Sequence, residues 1–305
     1  MNSVKGDDNL ARNTKLRGTY QIRKPLYRSE LSIVYQARSI RGETALKVVV
    51  KEFFPALLAV RTTDKQAVKC RSHTLAGKYG ELMDSFLQEA QILKELRHPG
   101  IVGYVDHFEE NGTAYLVMEY CEGQTLDKLI KGQNPPVDAA FLRNTLLPLI
   151  DALKFIHGHG YIHRDIKPGN IMVGEGGEVK LLDFGSAVKY EGKEHPVFTT
   201  AGYSPLEFYS SRSCQGPVSD MYSLAATVYY CCNGTPPPDV PKRLFRDNLQ
   251  PVALRGSASS PLLSFVIRRA LAVKQQRRVR SFRWFKAALQ AEYWLNRGKR
   301  QRSGG

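Results

Sequence analysis

The chain has 305 residues, enough for two lobes with well-buried cores. Its 42% hydrophobic and 24% charged residues are ordinary for a soluble globular protein. Residues 1–19 are polar and have no apolar stretch, which excludes a signal peptide and predicts a flexible leader. The most apolar later run, Leu224 to Cys232, is too short to span a bilayer. Five cysteines without a C-x-x-C pair favour reduced thiols and a cytoplasmic protein.

The net charge of +15 is concentrated near the C-terminus. Glu292 is the only acid among the basic residues there, and residues 297–305 form a basic tail. One interpretation is a solvated helix face followed by a frayed end. The other interpretation is a binding surface for an acidic partner, an anionic lipid or a nucleic acid. The basic residues are Arg268, Arg269, Lys274, Arg277, Arg278, Arg280, Arg283, Lys286, Arg297, Lys299, Arg300 and Arg302.

The first half of the chain alternates between strand and helix patterns. A strand begins at Tyr20 and leads into a hairpin over residues 26–37. The next strand, 44–51, carries two lysines, Lys47 and Lys51, which face the same side because they are four residues apart. Asp84 or Ser85 is expected to cap a helix whose apolar positions are Phe86, Leu87, Ala90, Leu93 and Leu96.

Glu89 lies among the apolar residues of this helix, where a carboxylate would be costly without a cationic partner. Two further strands, 101–108 and 113–119, are joined by a turn at Asn111-Gly112. A long helix follows, which contains Pro148. Its apolar and small positions are Phe141, Leu142, Thr145, Leu146, Leu149, Leu153 and Ile156.

The stretch from Tyr161 to Val173 holds an acid, two amines, an imidazole and a carboxamide at fixed offsets between two apolar runs. Asp165 and Asn170 lie five residues apart on this loop, and a strand that follows ends at Asp183, eighteen residues beyond Asp165. Such a loop can direct a carboxylate at a hydroxyl and an amide oxygen at a metal ion. Phosphoryl transfer needs both groups.

This arrangement, H-R-D-x-K-x-x-N followed by D-F-G, resembles the catalytic core of the eukaryotic-like serine/threonine protein kinases. The resemblance covers residues 20–296 and implies a bilobal α+β fold with a small β-rich N-lobe and a larger α-helical C-lobe. It places the N-lobe at 20–118, the hinge at 119–123 and the C-lobe at 124–296. The implied activity is transfer of the ATP γ-phosphate to protein hydroxyls.

The same resemblance implies roles for the loop residues. Asp165 would orient the substrate hydroxyl and accept its proton, and Lys167 would contact the γ-phosphate. Asn170 and Asp183 would hold Mg²⁺. The residues implied to bind the nucleotide are Val34 and Met172 around adenine, Met118 as gatekeeper, and Glu119 and Cys121 in the hinge.

Two features of the implied N-lobe leave questions open. The glycine positions of the phosphate loop are occupied by Tyr27, Ser29 and Ser32, which predicts a stiffer loop. Either Lys47 or Lys51 could grip the phosphates and pair with Glu89. Lys47 fits the general V-A-I-K pattern, whereas Lys51 lies in K-E-F-F-P, which resembles the I-K-E-Y-F-P motif of a bacterial subgroup and favours Lys51.

Residues 186–209 resemble a kinase activation segment. It contains the acid Glu207, for which the resemblance implies Arg278 as the buried partner. Asp220 would accept hydrogen bonds from the catalytic-loop backbone. Arg164 would lack an anion unless the segment is phosphorylated, with Thr199 as the first candidate acceptor and Ser204 the second. The alternative is a permanent charge from Glu191 or Glu194.

Two other classes of function compete with a protein kinase. The absent glycines suggest a pseudokinase scaffold, although the acid, amide and metal-binding positions are all present. A small-molecule phosphotransferase would share Asp165 and Asn170 but would lack Lys167 and the activation segment.

Overall fold

The computed structural model describes residues 8–40, 45–132, 137–192, 194–254, 257–258 and 260–303, with only the backbone given for 257–258 and 298–303. The chain forms two compact units. The first comprises residues 1–97 and 102–121, and the second comprises residues 98–101 and 122–305. Among the described residues, none of the helices combines the length and the apolar character that crossing a bilayer would require.

The first unit is built on a six-stranded antiparallel sheet with the order β1-β2-β3-β4-β8-β7. The turn between β7 and β8 has positive φ at both Asn111 (56°) and Gly112 (70°), as a two-residue hairpin turn requires. The strands are β1 (Lys15–Leu16), β2 (Tyr20–Arg28), β3 (Ser32–Ser39), β4 (Lys47–Phe53), β7 (Tyr104–Glu110) and β8 (Thr113–Glu119).

The segment between β4 and β7 contains more structure than its polar sequence predicts. Strands β5 (Ala59–Arg61) and β6 (Val68–Cys70) form a hairpin, and helix α1 (Ala76–Glu95) begins well before the predicted cap at Asp84 or Ser85. Tyr79 explains the earlier start, because its ring packs 5.2 Å from that of Phe53 and its hydroxyl donates to the Gly112 carbonyl. The extra helical turns therefore rest on the sheet.

The predicted flexible leader also contains more structure than its sequence suggests. Residues 1–7 lie outside the described residues, but β1 pairs with β2, and Leu10 and Leu16 are buried. The Leu10 amide donates to the Tyr35 hydroxyl. The two isolated leucines thus bury apolar surface against the sheet, so residues 8–19 are packed rather than loosely attached.

The second unit is mainly helical. Helix α4 is buried along nearly its whole length and contacts α3 and α6, and α7 packs against α3 and α6. Three small antiparallel sheets accompany the helices, and the most important one here has the order β12-β11-β9. The helices are α2 (Leu126–Gly132), α3 (Ala139–Gly158), α4 (Pro217–Asn233), α5 (Val240–Phe245), α6 (Pro261–Ala270) and α7 (Phe282–Ser303).

The small strands of the second unit position the loops that carry its polar residues. The strands are β9 (Gln124–Thr125), β10 (Tyr161–Ile162), β11 (Ile171–Val173), β12 (Val179–Leu181), β13 (Val188–Lys189), β14 (Ala253–Leu254) and β15 (Ser257–Ala258). Gly123 precedes β9 with φ +129°, and a Cβ atom there would lie 2.2 Å from the Val173 carbonyl oxygen. Only glycine allows this close approach.

Candidate active site

The loop between β10 and β11 is held by a buried acid from helix α4. Asp220 is fully buried, and its carboxylate accepts hydrogen bonds from the backbone amides of His163 and Arg164 at 2.9 Å each. Burial favours the protonated acid, but the hydrogen bond and charge of His157 lower the pKa of Asp220 overall. Arg164 has φ 69°, an uncommon conformation that these contacts hold in place.

His163 forms the buried side of the same loop. Its Nε2 lies 3.1 Å from the Leu182 carbonyl oxygen, and its ring packs edge-on against Phe184 at 4.8 Å. Burial lowers the pKa of His163, so the imidazole is neutral. The histidine therefore packs the loop against the segment that contains Asp183.

Asp165 is the centre of a dense polar cluster. Its Oδ2 lies 2.8 Å from the Lys167 ammonium and accepts a 2.7 Å hydrogen bond from the Asn170 amide. Its Oδ1 accepts a 2.9 Å hydrogen bond from the Thr200 hydroxyl. Three different residue types thus fix one carboxylate that is only 5% exposed. The structure brings together the predicted Asp165, Lys167 and Asn170, with Thr200 of the activation segment beside them.

The donor set near this cluster fits a hard divalent cation. The Asn170 amide nitrogen also donates to the Asp165 carbonyl at 2.9 Å, which leaves the amide oxygen as the atom suited to a metal. Asp183 adds a carboxylate on an exposed residue with φ 55°. Amide and carboxylate oxygens are the ligands that Mg²⁺ prefers. No group of three or more His, Cys, Asp or Glu suited to a metal occurs in the described part of the chain.

In the first unit, Glu89 of α1 is paired with Lys51 of β4. The Lys51 ammonium lies 2.8 Å and 2.9 Å from the two carboxylate oxygens, and Glu89 is 4% exposed. Lys47, the other candidate, is exposed at the start of β4, with its ammonium 5.6 Å from the centroid of the Tyr120 ring. The strand therefore presents one half-buried, ion-paired lysine and one exposed lysine.

The predicted phosphate loop is closed by its own serines. The hydroxyls of Ser29 and Ser32 lie 2.9 Å apart, and the Ser32 amide donates to the Ser29 hydroxyl at 3.0 Å. A backbone hydrogen bond from the Ser29 amide to the Ser32 carbonyl at 2.8 Å closes the turn together with these side-chain contacts, and its tip carries the exposed Leu31. Sequence reasoning predicted a stiffer loop, and these contacts supply a physical reason for one.

A buried network beside Lys51 was not predicted. Glu52 is 0% exposed and binds both terminal nitrogens of Arg61 on β5. The hydroxyls of Tyr35 and Tyr115 donate to its two oxygens at 3.0 Å each. Burial raises the pKa of Glu52, against the hydrogen bonds and charge of Arg61. The available signal was the K-E-F-F-P and A-V-R pattern, which contains both residues of the ion pair.

The remaining predicted nucleotide residues occupy defined positions in their own units. In the first unit, Met118 ends the buried part of β8, and the Glu119 carboxylate accepts a hydrogen bond from the Gly103 amide at 2.7 Å. Val34 lies directly opposite Lys51 on β3, and Cys121 ends the unit. In the second unit, Met172 lies on β11 opposite Thr125 and Lys180.

The segment after Asp183 is anchored at its far end. Glu207 and Arg278 form a buried bidentate ion pair with distances of 2.6 Å and 2.9 Å. The Ser219 hydroxyl donates to the same carboxylate at 2.7 Å. Ser204 is 2% exposed, and its hydroxyl accepts a hydrogen bond from the Thr200 amide. This second candidate for phosphorylation is therefore poorly accessible. Thr199 is exposed.

Arg164 is buried without a carboxylate partner among the described side chains. Its guanidinium donates to the Pro196 carbonyl and lies 5.3 Å from the Phe208 ring centroid, but its Nε has no acceptor. Burial lowers the pKa of Arg164, opposed by the charge of Asp220. Glu194, one proposed source of permanent charge, instead lies 3.7 Å from the exposed Arg212.

Comparison with known proteins agrees with this geometry. The family model of the protein kinase domain matches residues 56–288. The serine/threonine-protein kinase PknB of Mycolicibacterium smegmatis is 34% identical over 202 residues, covering 61% of this chain and 32% of that protein. PLK4 of Xenopus tropicalis is 26% identical over 226 residues, covering 73% of this chain and 22% of that protein.

Among solved structures, PpkA-294 in its apo form superposes with a TM-score of 0.81 at 30% identity, covering 92% of this chain and 99% of that chain. The fold and the catalytic loop define a protein kinase domain. The chain belongs to the eukaryotic-like serine/threonine protein kinase family. It spans about a fifth of the length of PLK4 and about a third of that of PknB.

The family assignment confirms the predicted α+β kinase fold. Protein kinases as a family use ATP and a divalent metal ion and act on protein substrates.

Proposed function

We propose that this chain transfers the γ-phosphate of ATP to serine or threonine hydroxyls of protein substrates. The observation that carries the proposal is the Asp165 carboxylate, which is fixed by Lys167, Asn170 and Thr200 at 2.7 to 2.9 Å. A carboxylate held in this way can orient a hydroxyl and accept its proton during transfer. The chain needs no covalent intermediate, because positioning and charge stabilisation carry the reaction.

Each loop residue has a distinct proposed role. Asp165 orients the acceptor hydroxyl, and Lys167 neutralises charge on the transferred phosphoryl group. Asn170 and Asp183 would hold Mg²⁺ through an amide and a carboxylate oxygen. The metal ion would offset negative charge on the phosphates. The two hydrogen bonds from Asn170 to Asp165 support this division, because they keep the acid and the metal ligand at a fixed separation.

The nucleotide is proposed to be gripped by Lys51, with Glu89 orienting the ammonium. The support is their ion pair at 2.8 Å and the 12% exposure of the Lys51 side chain, because a shielded charge acts more strongly on phosphates than a solvated one. Lys47 is not assigned a role in binding the phosphates. The proposed adenine contacts are Val34, Met118, Met172 and the backbone of Glu119 and Cys121.

We also propose membership of the bacterial subgroup whose strand motif is I-K-E-Y-F-P. Here the motif reads V-K-E-F-F-P, and Glu52 within it forms the buried pair with Arg61. The boundaries that we propose are a leader at 1–19, an N-lobe at 20–118, a hinge at 119–123, a C-lobe at 124–296 and a basic tail at 297–305. Within the proposed leader, residues 8–19 pack against the sheet.

Two further proposals concern the surroundings of the protein. The excess of basic residues near the C-terminus, where Glu292 is the only acid after Asp247, supports contact with an acidic partner or an anionic surface. A cytoplasmic location is supported by the five free cysteines. Burial raises the pKa of Cys231 to about 12, so this thiol is unreactive at neutral pH.

Asp165→Asn tests the proposal. The variant should fold, bind an ATP analogue in a thermal-shift assay, and lose about 100-fold to 10,000-fold in transfer of labelled phosphate to a generic basic protein. Asp151→Asn is the matched control, because Asp151 lies on the same unit, is half-exposed and forms a surface ion pair with Lys286. Activity of Asp165→Asn within a few-fold of the unaltered protein would refute the assignment. Inactivity of the unaltered protein would favour a pseudokinase scaffold.

A further inference from the structure

Helix α7 has an apolar stripe on its outer face. Trp284, Trp294 and Leu295 are 54%, 54% and 55% exposed. Ala287 and Ala291 lie between them at helical spacing, so the five residues occupy about a quarter of the helix circumference. The stripe runs about 16 Å along the axis at 1.5 Å per residue. The opposite face, with Phe282, Phe285, Ala288 and Leu289, is buried in the second unit.

One flank of the stripe is basic. Arg283, Lys286 and Arg297 follow each other along that flank, and the Arg297 guanidinium lies 5.4 Å from the Trp294 ring centroid. Glu292 does not offset this charge, because it is 1% exposed and accepts hydrogen bonds from the Ser260 amide and the Asn296 side chain. The outer face of α7 therefore combines two indoles with charge of a single sign.

A cavity of about 370 Å³ opens at the start of the same helix. Its floor includes Met221 and Phe282, and four cationic side chains border it: Lys154, Arg280, Arg283 and Lys286. Lys286 is paired with Asp151 at 2.6 Å, whereas the other three cations form no side-chain ion pair with the residues that the structure describes. This volume is at the lower end of the range for small-molecule sites. A single phosphate group with its ester oxygens fits such a space.

We propose that α7 docks this chain onto an anionic lipid bilayer, with the indoles of Trp284 and Trp294 at the headgroup level and a lipid phosphate in the cavity. Tryptophan is favoured at membrane interfaces because its ring is apolar and its N–H is polar. Helices with apolar aromatic residues beside arginine and lysine bind anionic interfaces. The inference rests on the anionic contact proposed above and does not depend on phosphotransfer.

Charge favours a bilayer over a protein partner or a nucleic acid. A protein surface normally offers charges of both signs, whereas the described outer face of α7 carries no exposed acid of its own, although Lys286 on its flank is paired with Asp151 of α3. A single-stranded nucleic acid would use the aromatic faces for base stacking along a groove. Here the indoles form a convex ridge on a helix, a shape suited to a flat interface.

The chain contains only two tryptophans, and both lie on α7, so tryptophan fluorescence, excited selectively over that of tyrosine, reports on this helix alone. The protein would be mixed with vesicles of phosphatidylcholine alone or of phosphatidylcholine and phosphatidylserine in equal parts. We expect a blue shift, quenching by brominated lipid and co-sedimentation with the serine-containing vesicles only. High salt should release the protein because it screens the basic flank.

Two variants separate the indoles from the charges. Trp284→Gln with Trp294→Gln should reduce vesicle binding at least tenfold, and so should Lys154→Gln with Arg280→Gln. Phe245→Gln is the control, because Phe245 is 94% exposed on α5 and lies outside the proposed surface. If a variant fails to fold, quenching measured on the unaltered protein tests the proposal without any substitution.

Several results would overturn the proposal. Equal binding to neutral vesicles would remove the role of charge, and absence of any blue shift or quenching would remove the role of the indoles. Binding to heparin or an acidic peptide without binding to vesicles would keep the anionic contact and exclude the bilayer. Phosphotransfer is measured on the same samples, so loss of kinase activity is distinguished from loss of docking.

Discussion

The Arg61→Met variant should show how much the buried network around Glu52 stabilises the first unit. Glu52 is 0% exposed and Arg61 is 8% exposed, and the guanidinium binds both carboxylate oxygens. Methionine fills much of the arginine volume but leaves the carboxylate with only the hydroxyls of Tyr35 and Tyr115. Removing one partner of a buried pair typically costs about 3 to 5 kcal/mol, because the other charge stays uncompensated.

The cost should depend on pH. Burial already raises the pKa of Glu52 although Arg61 lowers it, so the variant should raise the pKa further. A carboxyl whose folded pKa exceeds its unfolded value of about 4.3 holds its proton more tightly in the folded state. The free energy of unfolding therefore falls as the pH rises from the unfolded value through the folded value. Arg61→Met should be more destabilised at about pH 8 than at about pH 5.

Urea unfolding followed by circular dichroism measures the free energy of unfolding at both pH values. Lys78→Met is the control, because the ion pair of Lys78 with Glu81 is exposed (61% and 69%) and such pairs contribute at most about 1 kcal/mol. A cost of less than about 1 kcal/mol for Arg61→Met at both pH values would refute the energetic argument. An equal cost at both pH values would refute the assignment to Glu52.

Three other outcomes are expected. Lys51→Met should reduce the rate of phosphotransfer by about 100-fold or more, whereas Lys47→Met should stay within a few-fold, as measured with labelled ATP. Mass spectrometry after incubation with ATP and magnesium should find phosphate on Thr199 and none on the buried Ser204; fully active protein with no phosphate over residues 186–204 would contradict this. Arg278→Met should lower the melting temperature by several degrees, because it leaves a buried carboxylate unpaired.

The catalytic loop could be predicted from sequence because its residues are close in the chain. Asp165, Lys167 and Asn170 lie within six positions, and the strands around them are short apolar runs, so local spacing almost fixes the cluster. The choice between Lys47 and Lys51 was harder. Both lie on one face of β4, and only the position of α1 determines which ammonium meets Glu89.

The parts that sequence did not predict depend on contacts between distant segments. Glu52 draws its two tyrosine hydroxyls from β3 and β8, an arrangement that follows from the order of the sheet, and its arginine from the separate β5–β6 hairpin. The leader contains two leucines in a polar segment, which gives no periodic signal, yet both are buried: Leu16 lies on β1, and the Leu10 amide donates to the Tyr35 hydroxyl. Helix α1 starts early although Gly77 and Gly80 are poor helix formers, because tertiary packing of Tyr79 outweighs propensity.

Arg164 connects the activation segment to the catalytic acid. Its backbone amide is fixed by Asp220, and its guanidinium donates to the Pro196 carbonyl, so one residue next to Asp165 contacts both segments. The Nε atom of Arg164 and the Nε2 atom of His195 are both buried without a hydrogen-bond partner in the described residues. Burial, and then the charge of Arg164, lower the pKa of His195. An anion at this point would satisfy both nitrogens through charge-assisted hydrogen bonds and would raise the pKa of His195. A phosphate on the exposed Thr199, four residues after His195, could supply that charge. Its binding energy would then act on the loop that carries Asp165.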